Sequence, residues 1–573
     1  MKKMHLNIKK QSRNYTAYAC SAALLFLLAL SSCKKQLDVK NPNSPTFGGN
    51  VNSVEGLAKY AKGGIYWNGF NYGDGWLGDS YFSLPWGYHE LMGDVVGGGQ
   101  GSNNQTTTMG VPDKFIADPA DPSNTTFVNT SPQATGIIRA FNTAAATANA
   151  NNALYYQWTN MYAMINACNI TLENMGSITL TADQANTIQA WCYWWKGFAY
   201  AELGTLYYAG LIVDQSNTIV NKYVTQAEII TESNRNLDLA SSTLGSISNQ
   251  GDYSSVIAQL IPTQCQVGLG APLSSAEWIR TINTMKARNI LMNHLAAFVN
   301  GNPNASISKS TITPMAAGDW SRVIELCNNG VKEGDHVFTG RTSASNSFFN
   351  QNWGSVAGML SESNQTTTYK LSERLVQQYK AGDKRLANFT TANGTFFGDA
   401  NTNTTRYSLV DAVTEELSGF ATLGTREVGE LEIYIGPTYE ENELMLAEAK
   451  IRTSDISGGL VHIDNVRDYQ EAGVPHLAGS NLSLTQALTE LTMERLAGLA
   501  LRGLSFYDLR RWGWTYSIAN GGGRYGCTLN YKGIWYTNAT IDYNFMDYWD
   551  VTADETDKNP PSDDSAPVKN ANY

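Results

Sequence analysis

The feature that most constrains this chain is a series of long stretches in which apolar residues recur at helical spacing. Leu154 to Met175 is one. Asp183 to Tyr207 is another, with Ala190, Trp194, Ala201 and Leu203 near one face. Thr181 stands ahead of it as a candidate N-cap, where a side-chain oxygen can accept from an otherwise unpaired backbone N–H. Thr225 to Leu244 opens with Thr225 and Glu228 at the capping-box spacing. Ser275 to Phe298 carries Trp278, Ile282, Leu291 and Leu295 on or near one face. Further helices are expected at Ser53 to Tyr66, Glu440 to Arg452, Gly458 to Glu471 and Leu484 to Leu501, with a short one at Ser372 to Tyr379. A helix must bury its apolar stripe against a neighbour. Helices joined by short loops therefore predict a mostly α-helical fold of stacked helix pairs, tetratricopeptide-like in design although that repeat's consensus is not visible.

Irregular sequence interrupts the helices. Gly69 to Gly101 is rich in Gly and aromatics, residues 102–150 in Asn, Thr and Ala, and Gly330 to Gly429 in Asn, Thr, Ser and Gly. The expected organisation is one helical domain over 51–573, with variable segments at about 67–150 and 330–430. The polar, Pro- and Asp-rich tail after Val551 is expected to lie over the surface.

The beginning of the chain reads as an address. Lys2, Lys3, Lys9, Lys10 and Arg13 are followed by an apolar stretch from about Ala17 to Leu30. That is shorter than the roughly 20 residues of a membrane span, so 1–32 is expected to be a cleaved signal peptide. Leu30-Ser31-Ser32-Cys33 fits a lipoprotein signal, with Cys33 the lipidated residue. Residues 33–50, rich in Asn, Pro and Ser, are expected to form a tether. No later stretch reaches about 18 uninterrupted apolar residues.

Lys and Arg number 40 against 51 Asp and Glu; without the five basic residues of the leader the balance is 35 against 51, a net charge of −16. Such a chain is poorly suited to nucleic acid, which selects basic faces. The 14 Trp and 30 Tyr suit surfaces that meet sugars or proteins, and equally suit helix packing. Cys168, Cys192, Cys265, Cys327 and Cys527 are scattered and contain no C-x-x-C. No disulfide framework is written in them, and most are expected to be buried apolar thiols.

Two irregular segments combine rings with polar side chains, as sugar capture requires: the C–H face of a pyranose stacks on an aromatic, and amides and charged groups meet its hydroxyl rim. One holds Tyr66, Trp67, Asn68, Tyr72, Asp74, Trp76, Tyr81 and Trp86; the other is Phe348-Phe349-Asn350-Gln351-Asn352-Trp353. The candidate ligand-binding residues are Trp67, Tyr72, Trp76, Trp86, Phe349, Asn350 and Trp353. The same rings can instead pin loops onto helices, and both readings stand.

Gly73 to Gly78 formally matches G-x-G-x-x-G, yet lacks the preceding strand and following helix of a dinucleotide site. His89-Glu90 has no second histidine at zinc-protease spacing, and His294, His336, His462 and His476 are dispersed. Neither a metal, nor a cofactor, nor a catalytic residue is assigned. Glu441 and Glu448 share a helix face and are the carboxylates a glycosidase reading would need; they are expected to be solvated or paired with Arg467 or Arg495. Asp508, Arg510, Arg511 and Trp512 read as a buried structural clasp.

Three passages resemble the SusD/RagB family. The first is the lipoprotein start followed by Leu37-Asp38 and Asn43-Ser44-Pro45-Thr46. The second is Trp191 to Leu203, leading into Leu206-Tyr207-Tyr208-Ala209-Gly210. The third is Glu494-Arg495-Leu496 with Arg502-Gly503-Leu504-Ser505-Phe506-Tyr507-Asp508-Leu509-Arg510-Arg511-Trp512-Gly513, preceded by Leu444 to Lys450 and Ile463 to Arg467. Arg502 departs from the acidic residue the family usually has there, which implies a change of local pairing. The resemblance spans nearly the whole chain after Cys33. It implies four tetratricopeptide-like helix pairs, no catalysis, and a lipid-anchored outer-membrane protein facing outward. It further implies capture of oligosaccharide for a SusC-like TonB-dependent transporter, over which the protein acts as a lid. Peptide capture of the RagB kind is the alternative, and a surface glycoside hydrolase a more distant one.

Overall fold

The computed structural model describes residues 51–70, 81–98, 109–118, 126–128, 135–148, 151–294, 315–341, 354–362, 368–391, 405–410, 432–531 and 534–571. The leader, Cys33 and the tether lie outside them, as do residues 71–80 and 342–353.

Helices α1 (Val54–Tyr66), α2 (Pro85–Met92), α3 (Ala153–Asn174), α4 (Ala182–Leu206), α5 (Gln226–Gly245), α6 (Gln250–Leu260), α7 (Ser275–Asn293), α8 (Ala317–Asn328), α9 (Tyr439–Arg452), α10 (Ile456–Tyr469), α11 (Leu484–Gly498) and α12 (Ser505–Arg511) build the body. Their starts are written locally. Thr181 accepts from Gln184 N and Gln184 returns the bond, a capping box; Thr225 with Glu228, Ser274 with Glu277 and Ser483 with Gln486 repeat it.

The helices pack in sequence: α1 on α3, α3 on α4, α4 on α5, α5 on α7, α7 on α8, α8 on α9, and α9 on α10 and α11. Two glycines let α4 and α5 close up. A Cβ at Gly197 would lie 2.7 Å from Leu237 Cδ2, and one at Gly204 2.9 Å from Ile230 Cδ1. At the centre, Trp191, Trp194 and Trp195 of α4 meet Trp278 of α7 and Phe338, all buried. Trp194 and Phe338 stack at 5.5 Å. Much of the aromatic content thus serves the core.

Small sheets decorate this body. Strands β1 (Val96–Gly98), β7 (Tyr369–Ser372), β9 (Thr405–Leu409) and β8 (Phe389–Thr391) form one in that order. Strands β11 (Arg524–Tyr531), β12 (Ile534–Asp542), β2 (Lys114–Ile116) and β3 (Thr126–Val128) form a second. Two-stranded ribbons pair β4 (Ala209–Leu211) with β5 (Tyr223–Thr225) and β6 (Thr339–Arg341) with β10 (Glu432–Tyr434). The strands fall largely in the stretches expected to be irregular. Most are of three to five residues, too short to show a period, and β1 with β7, β12 with β2 and β6 with β10 pair across long stretches of sequence.

The clasp is buried as expected. Both terminal nitrogens of Arg511 donate to Glu448 at 2.7 Å, and its Nε donates to Asp508 at 2.7 Å. Arg510 donates to the carbonyls of Thr205, Asp547 and Met292, with the Tyr548 ring 4.3 Å from its guanidinium. The expected partners of α9 need correction. Glu441 binds Arg288 of α7 (Nε to Oε1, 2.6 Å), and Glu448 binds Arg511. Arg467 instead serves Glu494 and Glu490, and Arg495 serves Asp508. Neither glutamate is solvated, because α9 packs against both α7 and α8; sequence fixes the charges, but helix packing decides which of them meet.

All five cysteines among the described residues are free and buried. The tail does cross the surface: Ser562 N donates to Asn221 O and Ala566 N to Tyr223 O.

Candidate ligand-binding face

Of the seven candidate binding residues, the described part of the structure holds Trp67 and Trp86. Tyr72, Trp76, Phe349, Asn350 and Trp353 lie outside the described residues, as does the Gly73 to Gly78 motif. Trp67 is the C-cap of α1. Its N–H donates to Gly63 O at 2.9 Å, and the residue is 53% exposed. About half of its surface is open, and exposed indole area of this kind is what the C–H face of a sugar can stack on. Trp86, in α2, is buried. Its ring meets Phe82 edge-on at 4.9 Å, and Gly503 lies so close that a Cβ there would be 3.0 Å from it.

The stems of the two nominated segments are neighbours. Tyr81 N donates to Phe70 O at 3.1 Å, closing the base of 71–80. One residue further on, Phe82 O accepts from Val356 N at 3.0 Å, just beyond the end of 342–353. Ser355 caps the short helix Val356–Leu360, and Tyr369 OH donates to Ser83 O at 2.9 Å, holding both stems on the body. Stretches nearly 300 residues apart in sequence thus start from one place.

Below them lies a small pocket lined by Trp86, Glu202, Arg288, Tyr434, Glu441 and Arg502, among others. Its interior has room for about one water molecule, far too little for a sugar ring. Glu202 accepts from Tyr81 OH at 2.6 Å. Burial pushes its carboxyl above the ordinary range, opposed by that hydrogen bond and by Arg288. Arg502 donates to Glu440 at 2.7 Å and to Thr438, and its guanidinium lies 4.8 Å from the Tyr434 ring centre. Burial works against the Glu440 charge, and Arg502 overrides it, leaving the carboxyl below its ordinary range. The departure at Arg502 is therefore a self-contained ion pair with a residue of α9.

One residue that sequence reasoning passed over is central here. The Glu90 carboxylate accepts from Gly503 N at 2.7 Å and Ser505 Oγ at 3.0 Å, tying α2 to the turn before α12. Leu501 and Gly503 have positive φ, +62° and +71°, which aims successive N–H groups at one acceptor. Burial pushes the Glu90 carboxyl up to about 7, against those hydrogen bonds. The signal lay in His89-Glu90 taken together with Arg502-Gly503, which only the fold brings together. Among the described residues, no group of three or more His, Cys, Asp or Glu is placed to hold a metal, and no helix is long and apolar enough to cross a membrane.

Neither a protein-family model nor a curated protein sequence matches this chain. Solved structures do. A SusD-like carbohydrate-binding protein from Bacteroides vulgatus is similar at 13% identity and a TM-score of 0.50, covering 91% of this chain and 99% of that one. A structure solved with xylogluco-oligosaccharide is similar at 12% identity and a TM-score of 0.52, covering 90% and 99%. The architecture is that of a mostly α-helical protein with irregular segments carried on packed helix pairs. More particularly, the fold is SusD-like.

Proposed function

We propose that this protein is a glycan-binding lipoprotein of the cell surface, which captures oligosaccharide and passes it to a SusC-like TonB-dependent transporter. The observation that carries the reading is a SusD-like likeness over about nine-tenths of the chain, including a structure solved with an oligosaccharide. Two further features support it. Trp67 offers ring area to solvent at the root of one aromatic segment, and that root adjoins the root of the other. The pair nominated for hydrolysis is engaged elsewhere: Glu441 is bound to Arg288 and Glu448 to Arg511. Lipid on Cys33 would hold the protein at the outer membrane, each buried CH₂ contributing about 0.8 kcal/mol.

Calorimetric titration of the chain from Cys33 onward, with xyloglucan oligosaccharides and a wider glycan and peptide panel, tests the reading, with product analysis of the same samples. Saturable glycan binding without products is expected, and Trp67→Ala should weaken it about five- to tenfold, the loss of one stacking ring. Binding of peptides alone would replace the glycan reading with the RagB-like one. Cleavage abolished by a single carboxylate-to-amide change would make the protein a hydrolase. Purification from mildly solubilised membranes should bring a large β-barrel with it; repeated absence of one counts against the hand-off.

A further inference from the structure

Two adjacent glycines near the end of α1 have different surroundings. Gly64 faces α3: a Cβ there would lie 2.5 Å from Ala167 Cβ, so no side chain fits. A Cβ at Gly63 would meet nothing within 4 Å among the described residues. Glycine weakens a helix, and nothing in the packing of α1 asks for it at this position.

The open space over Gly63 is bounded along the helix by rings. Residues three and four apart share a helix face. Tyr60 stands three residues before Gly63 and Trp67 four after it, so the three form one stripe. Trp67 N donates to Gly63 O at 2.9 Å, which carries the helical geometry as far as that ring. Trp67 is 53% exposed, and Tyr60 is half-buried at the edge of the core. At the rise of an α-helix, the step from Tyr60 to Trp67 is about 10.5 Å. Polar groups flank the stripe: Lys59, which pairs with Glu55 at 2.6 Å, and the exposed Asn68.

We propose that this stripe is a linear subsite for an extended, cellulose-like β-glycan, continuous with the candidate ligand-binding face at Trp67. The proposal rests on the capture reading and names its substrate class. In such a glycan, equatorial linkages keep the chain straight and turn each sugar over relative to the last. Every second sugar therefore offers the same face, at a repeat close to the step from Tyr60 to Trp67. One sugar stacks on Trp67, the next crosses the bare backbone of Gly63, and a third meets the Tyr60 ring. Lys59 and Asn68 are placed to meet the hydroxyl rim. An α-linked, starch-like chain coils, and does not follow a straight helix over this distance.

The chain from Cys33 onward is titrated calorimetrically with cellobiose, cellotetraose and cellohexaose, and with maltohexaose as the coiled counterpart. Cellotetraose spans both rings and should bind about tenfold more tightly than cellobiose, the gain of a second ring contact. Tyr60→Ala should remove that gain and leave cellobiose as it was, whereas Trp67→Ala should weaken both. Gly63→Gln is the decisive variant. Glutamine is the better helix former and meets no neighbour there, so the protein should melt no lower than wild type. Its side chain fills the path of the glycan, so cellotetraose binding should fall about tenfold or more. Cellotetraose bound by Gly63→Gln at wild-type strength, or equal wild-type affinity for cellobiose and cellotetraose, would overturn the proposal. So would a lowered melting temperature of Gly63→Gln, which would mean that a neighbour fills the space. Preference for maltohexaose over cellohexaose would remove the subsite and leave capture standing; no binding of any glycan in the wider panel would remove both.

Discussion

At the scale of single residues, the most consequential charges are the buried ones. Arg511 and Glu448 are both 0% exposed in their side chains and meet through two bonds of 2.7 Å. Such a pair is a weak source of net stability when intact, because both ions were taken out of water. Breaking it is another matter. Glu448→Gln leaves the guanidinium with Asp508 alone, and urea unfolding should show a loss of about 3 kcal/mol. Glu90 behaves in the opposite sense. Its carboxyl moves from an ordinary 4.5 to about 7 on folding, because burial penalises its charge. Between those values the folded protein holds a proton that the unfolded chain has released. The stability this contributes is complete below pH 4.5 and is lost as pH rises to about 7. Glu90→Gln does not ionise. Wild type should therefore lose on the order of 3 kcal/mol relative to the variant across that window, and nothing further above it. Carboxylates held low by arginine, such as Glu440 and Glu494, pull the other way as pH falls but are common to both proteins and cancel. Urea midpoints at a series of pH values measure the difference; parallel profiles would remove Glu90 as the source.

At the scale of elements, α4 shows what a sequence displays and what it conceals. Its span was expected at Asp183 to Tyr207 and is Ala182–Leu206, with the Thr181 cap in place. Long helices carry a period and a cap, so α3, α5, α9, α10 and α11 were legible for the same reasons, with ends shifted by a few residues. Helix α2 was not. All eight of its residues are buried, so no polar face alternates with an apolar one to betray it. The Ser372 to Tyr379 helix shrinks to Glu373–Val376: Ser372 ends strand β7 and caps the helix, and Gln377 is already its C-cap. The ligand-binding face was legible only as composition. Which rings are open is decided by packing: Trp67 follows the last turn of α1 and is half exposed, whereas Trp86 sits within α2 against Phe82 and Gly503. Glycine within α4 is similarly opaque until a neighbour is seen. Gly197→Ala should gain about 1 kcal/mol in helix propensity. The added Cβ would stand 2.7–2.8 Å from Leu237 Cδ2 and Cγ, and forcing α5 away costs about 1–3 kcal/mol. The packing term wins, and thermal melting should show a net loss of about 1 kcal/mol. A rise in Tm would mean that Leu237 gives way freely.

At the scale of the whole molecule, the last residues close the fold over helices far away in sequence. Trp549 N donates to Leu206 O, and Tyr208 N donates back to Trp549 O, so the tail pairs with the end of α4. Asp550 then holds Arg139 at 2.7 Å, and Glu555 accepts from Trp158 Nε1 at 3.3 Å. The chain next runs along the edge of β5 through Ala566 N to Tyr223 O, and returns. Asn570, 1% exposed, donates from its side chain to Asp547 Oδ1 at 2.8 Å and from its backbone to Asp550 Oδ1 at 2.7 Å. The strap is polar and carries few apolar side chains, so its own burial contributes little. Its effect is to complete the hydrogen bonding of buried groups: Asn570 adds a donor to Asp547 and to Asp550, Glu555 accepts from the Trp158 indole, and Thr552 accepts from the Asn152 amide. Removing residues from Thr552 onward takes these partners away together: the Trp158 indole loses its acceptor, while Asp550 keeps Arg139, Asp547 keeps Tyr516 and Asn152 keeps Asn142. Each buried polar group left without a partner costs about 1–3 kcal/mol unless water reaches it. The shortened protein should therefore melt below the full chain, by on the order of a few degrees. Hydrogen exchange should locate the loss in residues 135–148 and at the adjoining ends of α3 and α4, leaving α9 to α11 protected as before. An even loss of protection across α9 to α11 would instead make the strap a condition of folding for the entire helix array.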